Sequence, residues 1–156
     1  MALNWCFNEP WPNAANNNLV TYPNITKPAF DAVAASLRPV IASASFDRFD
    51  WRSGQQIEIN TWMLNDTYKK VPGSKVHVYI TMDGDKAKIG NWEFDKLQEN
   101  QNLQGPTVRF RVPDDIKTQL VKISLEVEGN SGYNSDYFLL VRPRRPDNRP
   151  VNALNF

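Results

Sequence analysis

From Val40 onward the hydrophobic residues recur at every second position, and this constrains the fold more than any other feature of the chain. Ile57, Ile59, Thr61 and Met63 alternate with Glu58, Asn60, Trp62 and Leu64. Val76, Val78 and Ile80 alternate with Lys75, His77 and Tyr79; Val108, Phe110 and Val112 alternate with Thr107, Arg109 and Arg111. Val121, Ile123, Leu125 and Val127 form a fourth such run, and Tyr137 to Val141 is continuously apolar. A period of two puts one set of side chains on one face of a strand, whereas a helix would scatter them. The last run predicts a strand covered on both sides or a central C-terminal strand. Turn-forming pairs separate the runs: Ser53-Gly54, Pro72-Gly73, Asp83-Gly84, Gly105-Pro106, Pro113-Asp114 and Gly129-Asn130. About seven short strands in about 100 residues predict an immunoglobulin-like antiparallel β-sandwich. Its interior is expected to hold Ile57, Ile59, Val76, Val78, Phe110, Ile123 and Leu125. The stretch Asp83–Leu103 is less regular, with Trp92 and Phe94 suggesting a short strand or a lid over the sandwich.

Before Val40 the period is different. Phe30, Val33, Ala34 and Leu37 fall at i, i+3, i+4 and i+7, with Pro28 in the first turn and Thr26 placed to cap. This predicts one amphipathic helix ended by Pro39. Residues 1–25 contain Pro10, Pro12 and an Asn-rich run, which is turn chemistry, so only a short strand near Ala2–Phe7 is expected there. The expected organisation is therefore an N-terminal segment with its helix over 1–38, a sandwich over 39–143 and an extended tail over 144–156.

Composition excludes several functions. With 18 basic and 17 acidic residues the net charge is +1, which offers no excess to attract nucleic acid or an anionic membrane. The local cluster Arg142, Arg144, Arg145 and Arg149 is interrupted by prolines and lacks interleaved aromatics, so it reads as a solvated tail. The single cysteine, Cys6, rules out an internal disulfide, and no apolar run approaches the ~20 residues of a membrane span. The chain opens without the basic start and apolar stretch of a signal peptide, so a leader, if the parent protein is exported, is expected elsewhere. His77 is the only histidine, and no metal or cofactor is expected. Asp83, Asp85 and Asp95 do not have the spacing of a calcium-binding loop and read as solvated turn carboxylates. Asn24-Ile-Thr26 and Asn65-Asp-Thr67 fit the glycosylation sequon, a pattern common by chance.

Two stretches carry a family resemblance. Trp5-Cys-Phe-Asn-Glu-Pro-Trp-Pro12, then Leu19-Val-Thr-Tyr22, then Lys27-Pro-Ala-Phe-Asp-Ala-Val33, resembles the end of the catalytic barrel of family 2 glycoside hydrolases. Ile59-Asn-Thr-Trp-Met-Leu-Asn-Asp-Thr67 followed by Val71-Pro-Gly73 is similar to the start of the immunoglobulin-like domain behind that barrel. The resemblance spans about residues 5–80. It implies a non-catalytic accessory domain whose partner is the barrel of a parent hydrolase that cleaves β-glycosidic bonds. It also implies that Trp5, Asn8, Glu9 and Trp11 stand near the parent's substrate.

Asn8-Glu9-Pro10 also looks like an acid-catalyst triplet. Glycoside hydrolysis, however, needs two facing carboxyl groups about 5–5.5 Å or roughly 6.5–9.5 Å apart. The resemblance puts the family's acid and nucleophile on earlier strands, so Glu9 reads as a loop carboxylate and no catalytic residue is expected. The alternative to an accessory role is a carbohydrate-binding module. Trp51, Trp62, Trp92, Tyr79 and Tyr133 supply its aromatics. Trp62 and Tyr79, both on the outward phase, are the expected neighbours on one sugar-stacking face.

Overall fold

A computed structural model describes residues 6–12, 17–117 and 119–143. The chain divides into two compact units, Met1–Pro39 and Val40–Phe156. The arginines of the tail beyond Pro143 and the expected strand over Ala2–Phe7, apart from its last two residues, lie outside the described residues.

In the first unit, two-residue strands β1 (Val20–Thr21) and β2 (Ile25–Thr26) pair antiparallel, joined by a turn with a cis Tyr22-Pro23 bond. Helix α1 follows over Pro28–Ser36. Thr26 does not cap it: Thr26 is committed to the β2 pairing with Val20, so Lys27 takes the N-cap position, where its side chain makes no capping bond, and Pro28 opens the helix. The expected apolar face exists but is not covered. No residue of α1 is buried, and Leu37 is 66% exposed. Phe30 is partly buried and meets the ring of Phe7 at a tilt, with centroids 6.2 Å apart.

The second unit is mainly β. Its strands are β3 (Val40–Ser45), β4 (Asp50–Arg52), β5 (Gln56–Asn65), β6 (Val71–Met82), β7 (Asp85–Leu97), β8 (Gln101–Arg111), β9 (Leu120–Val127) and β10 (Ser135–Arg142). They form one sheet in the order β4-β10-β9-β6-β7 and another in the order β3-β5-β8. All pairs are antiparallel except β4 with β10. This distribution of strands is that of an immunoglobulin-like sandwich. The core lies between the sheets. Ile57, Ile59, Val76, Val78, Ile123 and Leu125 are fully enclosed, as the alternation predicts, but Phe110 is only half-buried because β8 lies at the edge of its sheet.

Three differences from the sequence reading have local causes. Residues 85–97 form one long strand rather than a short strand or lid. Its period is obscured because Ile89 is an extra residue where the pairing jumps from Val78↔Gly90 to Tyr79↔Lys88. Its outer residues also include Lys86, Lys88 and Glu93, as expected of an edge strand. In β8 the pairing jumps from Asn60↔Thr107 to Trp62↔Gln104, so Gly105 and Pro106 face Thr61 alone and the inward phase shifts. The apolar run of β10 is covered on one face only: Leu139 and Val141 are buried, but Phe138 is 55% exposed. β10 is nonetheless an internal strand, held between β4 and β9.

The turn between β6 and β7 is decided locally. Asp83 and Gly84 both have positive φ, 50° and 93°, which is the two-residue hairpin turn that Asp-Gly favours. The Asp83 carboxylate accepts the backbone N–H of Lys117 at 3.2 Å, a structural use of one of the three aspartates.

Candidate functional site

Two groups of residues singled out in the sequence merit attention: the segment around Glu9 and the outward aromatics of the sandwich. Trp5 lies outside the described residues. Asn8 forms an isolated parallel bridge with Val20, and the backbone knits the segment together: Glu9 N–H donates to Val20 O at 3.0 Å, and Leu19 and Val20 N–H both donate to Phe7 O at 3.0 Å. This pairing turns the Glu9 side chain inward, while Asn8 and Trp11 remain exposed.

The Glu9 carboxylate is buried and fully engaged. It accepts hydrogen bonds from the Asn18 amide, from the Thr21 hydroxyl at 2.5 Å and from the Tyr22 backbone N–H at 3.3 Å. These bonds, led by Thr21 and then Asn18, hold its pKa below the ordinary value. A general acid needs the opposite shift and an open approach to substrate. Here the carboxylate ties three points of a loop together. Because the folded-state pKa is lowered, this tie is present above the ordinary value of about 4.5 and is lost as pH falls through the folded value. Acidification is therefore expected to loosen the 6–26 segment before the sandwich unfolds. Amide exchange at Leu19 and Val20 against pH measures it; protection that is lost only together with that of the sandwich strands would contradict the assignment.

The outward aromatics do not form one face. Trp62 lies on β5 and Tyr79 on β6, strands of different sheets, so their outward phases point to opposite sides of the sandwich. The sequence cannot reveal this, because alternation states which face a residue takes within its own sheet but not which sheet it belongs to. Trp51 is buried, its indole N–H donating to Arg48 O at 3.0 Å under the Arg48 guanidinium. Trp92 turns inward against Phe94 and the core. Tyr133 packs on the core as well.

The surroundings of the two remaining aromatics differ. Tyr79 has Lys86 Nζ 4.2 Å above its ring, and Lys86 also pairs with Glu126 at 2.6 Å. His77 lies beside it and approaches Glu128 at 3.5 Å. Further along, Lys75 pairs with Glu93 at 2.5 Å and Lys122 with Asp136 at 3.2 Å. Such a lattice of opposite charges suits contact with water. Around Trp62 the cross-strand neighbours are Ser43 and Gln104, with Asn60 and Thr107 one pair further along. The sequence reading missed Asn60, Gln104 and Thr107, because only the β8 bulge brings Gln104 and Thr107 onto the same face. Among the described residues no cluster of three or more His, Cys, Asp and Glu side chains could hold a metal ion, and no helix is long and apolar enough to cross a membrane.

No family model matches the sequence, and no curated protein sequence is significantly similar to it. Likeness is found among solved structures. The CARDB domain of a Pyrococcus furiosus protein, solved in complex with di-metal ions, superposes with a TM-score of 0.52 at 15% identity, over 67% of this chain and 94% of that one. A domain of a putative cell surface protein from Methanosarcina acetivorans gives a TM-score of 0.43 at 14% identity, over 67% of this chain and 95% of that one. A β-glucosidase from Listeria innocua gives 0.42 at 11% identity, over 65% of this chain but only 16% of the glucosidase. The first likeness establishes a shared β-sandwich fold. Fold alone assigns no activity.

Proposed function

We propose that this chain is the C-terminal, non-catalytic part of a family 2 glycoside hydrolase, in which residues 6–39 complete the catalytic barrel and the sandwich supports it. The observation that carries the reading is the bare apolar surface of the first unit. Phe7 is 59% exposed, Trp11 64%, Ile25 61% and Leu37 66%, while among the described residues of this unit the buried apolar ones are Leu19 and Val20. Covering a large apolar side chain is worth roughly 1.5–3 kcal/mol, so a segment this poor in its own core calls for a partner surface. Phe7 and Trp11 belong to the segment that resembles the last barrel strand, Ile25 lies in β2 and Leu37 caps the end of the Lys-Pro-Ala helix. Glu9 then locks the shape of the segment, while Asn8 and Trp11 stay available to the parent's cleft. Substrate recognition and both catalytic carboxylates belong to the preceding barrel.

Two measurements test the proposal. The chain alone is expected to hydrolyse nitrophenyl β-galactoside, β-mannoside and β-glucosaminide no faster than background. A longer product of the same gene, extended upstream, is expected to carry a barrel with two catalytic glutamates and to turn over one of them. Robust turnover by the short chain, abolished in Glu9→Gln, would overturn the reading, as would an upstream region that encodes no barrel.

A further inference from the structure

The outer face of the β3-β5-β8 sheet combines features that the rest of the described surface separates. Trp62 stands half-buried on β5, the central strand, so its position is set by a ladder on each side. Its cross-strand neighbour on β8 is Gln104, which is exposed, and Asn102 lies opposite Leu64 one pair beyond. On the other side of Trp62 the Thr107 hydroxyl donates to Asn60 Oδ1 at 2.7 Å. That bond occupies the Asn60 oxygen and leaves its amide N–H groups as the donors offered outward. Gln104 stands directly opposite Trp62, about 5 Å away, and the Asn60–Thr107 pair lies next along the same face at about 7–8 Å, so all three flank one side of the indole within reach of a ligand laid on it.

The charge pattern narrows the class of ligand. On this face of β5 and β8 the charged groups are Glu58, Arg109 and Arg111 at one end, and Glu58 and Arg109 neutralise each other at 2.8 Å. From there to Asn102 the outward residues are Asn60, Trp62, Leu64, Thr107 and Gln104, none of them ionisable. A phosphate, a nucleic acid or an acidic peptide finds no counter-charge here. On β3 the same face carries Ser45, Ser43 and Ile41, the last opposite Leu64 and itself buried, so a protein partner would find little exposed apolar area beyond Trp62 and Leu64. A neutral sugar fits: one ring face is apolar and stacks on an indole, while its hydroxyls take amide and hydroxyl partners at the rim.

We propose that Trp62, with Asn60, Gln104 and Thr107, forms a binding face for neutral oligo- or polysaccharide on the sandwich itself. This goes beyond the accessory role and does not depend on it, since the site lies wholly on one sheet of the second unit. The test is affinity electrophoresis of the full chain through gels containing galactomannan, xyloglucan, mixed-linkage β-glucan or hydroxyethylcellulose. The wild-type chain is expected to be retarded by at least one of them, and Trp62→Ala to migrate as in an empty gel. Gln104→Ala, an exposed position whose loss leaves the core untouched, is expected to bind about fivefold more weakly, the equivalent of one hydrogen bond. Tyr79→Ala on the opposite sheet and Tyr68→Ala, which is 87% exposed, are expected to bind as wild type. Absence of retardation by every polysaccharide would overturn the proposal, and so would equal retardation of wild type, Trp62→Ala and Gln104→Ala. A wild-type dimer that Trp62→Ala converts to a monomer, without any retardation, would instead make this face an interface between copies.

Discussion

Asn65→Asp is expected to destabilise the sandwich by about 3–5 kcal/mol. Asn65 is completely buried at the end of β5. Its amide N–H groups donate to Lys69 O at 2.8 Å and to Gln98 O at 2.7 Å. Its oxygen accepts from the Thr67 N–H at 3.1 Å and from the Thr67 hydroxyl at 2.7 Å. One side chain thus closes the loop that follows β5 and fastens it to the turn between β7 and β8. An aspartate retains the acceptor but removes both donors, leaving the part-buried carbonyls of Lys69 and Gln98 without them and turning a buried carboxylate oxygen toward those carbonyls, which together costs about 3–5 kcal/mol. Thermal unfolding should fall by about 10–20 °C. Urea unfolding checks the value, and a loss under ~1 kcal/mol would show that the loop re-pairs with water. The same four bonds explain why the Asn-Asp-Thr motif is present, and they make Asn65 inaccessible as a glycan acceptor in the folded chain.

Gly73→Ala is expected to cost about 3 kcal/mol and to disturb the start of the β6–β7 ladder. A Cβ at this position would lie 2.1 Å from Asp95 O and 2.6 Å from Phe94 O. Both obstacles are backbone atoms of the neighbouring strand, so no rotamer change relieves the overlap. The strands must part between the pairs Pro72↔Lys96 and Ser74↔Phe94, which bracket Gly73 and Asp95 and include the buried Phe94. Gly84→Ala provides the comparison. Nothing lies within 4 Å of its Cβ, and the cost should be only the ~1–2 kcal/mol of a left-handed backbone, its φ being 93°. Equal losses for the two variants in urea unfolding would mean that backbone conformation, not the close approach, is what Gly73 provides.

These two positions also show how far sequence reasoning reaches. Pro72-Gly73 is legible as a break, but the structure uses Gly73 inside the β6–β7 pairing, where β7 passes too close for a side chain. Asn65-Asp66-Thr67 is legible as a motif, but its function as a junction depends on Gln98, remote in sequence. Glu9 is similar: its neighbours Asn8 and Pro10 suggest chemistry, whereas Asn18, Thr21 and Tyr22 decide that its carboxylate is occupied and held ionised.

What the sequence alone determined is the class of fold and most of the core. Alternation is a local property, imposed by strand geometry, so the buried faces of β5, β6 and β9 follow from their residues without reference to one another. Where an extra residue interrupts a strand, as at Ile89 or at Gly105-Pro106, the period breaks and the reading stops. Only the tertiary structure decided which strands share a sheet, and with that the separation of Trp62 from Tyr79 and the gathering of Asn60, Gln104 and Thr107 around Trp62. The physical reason is that sheet membership rests on backbone hydrogen bonds between distant segments, and backbone groups are the same in every residue.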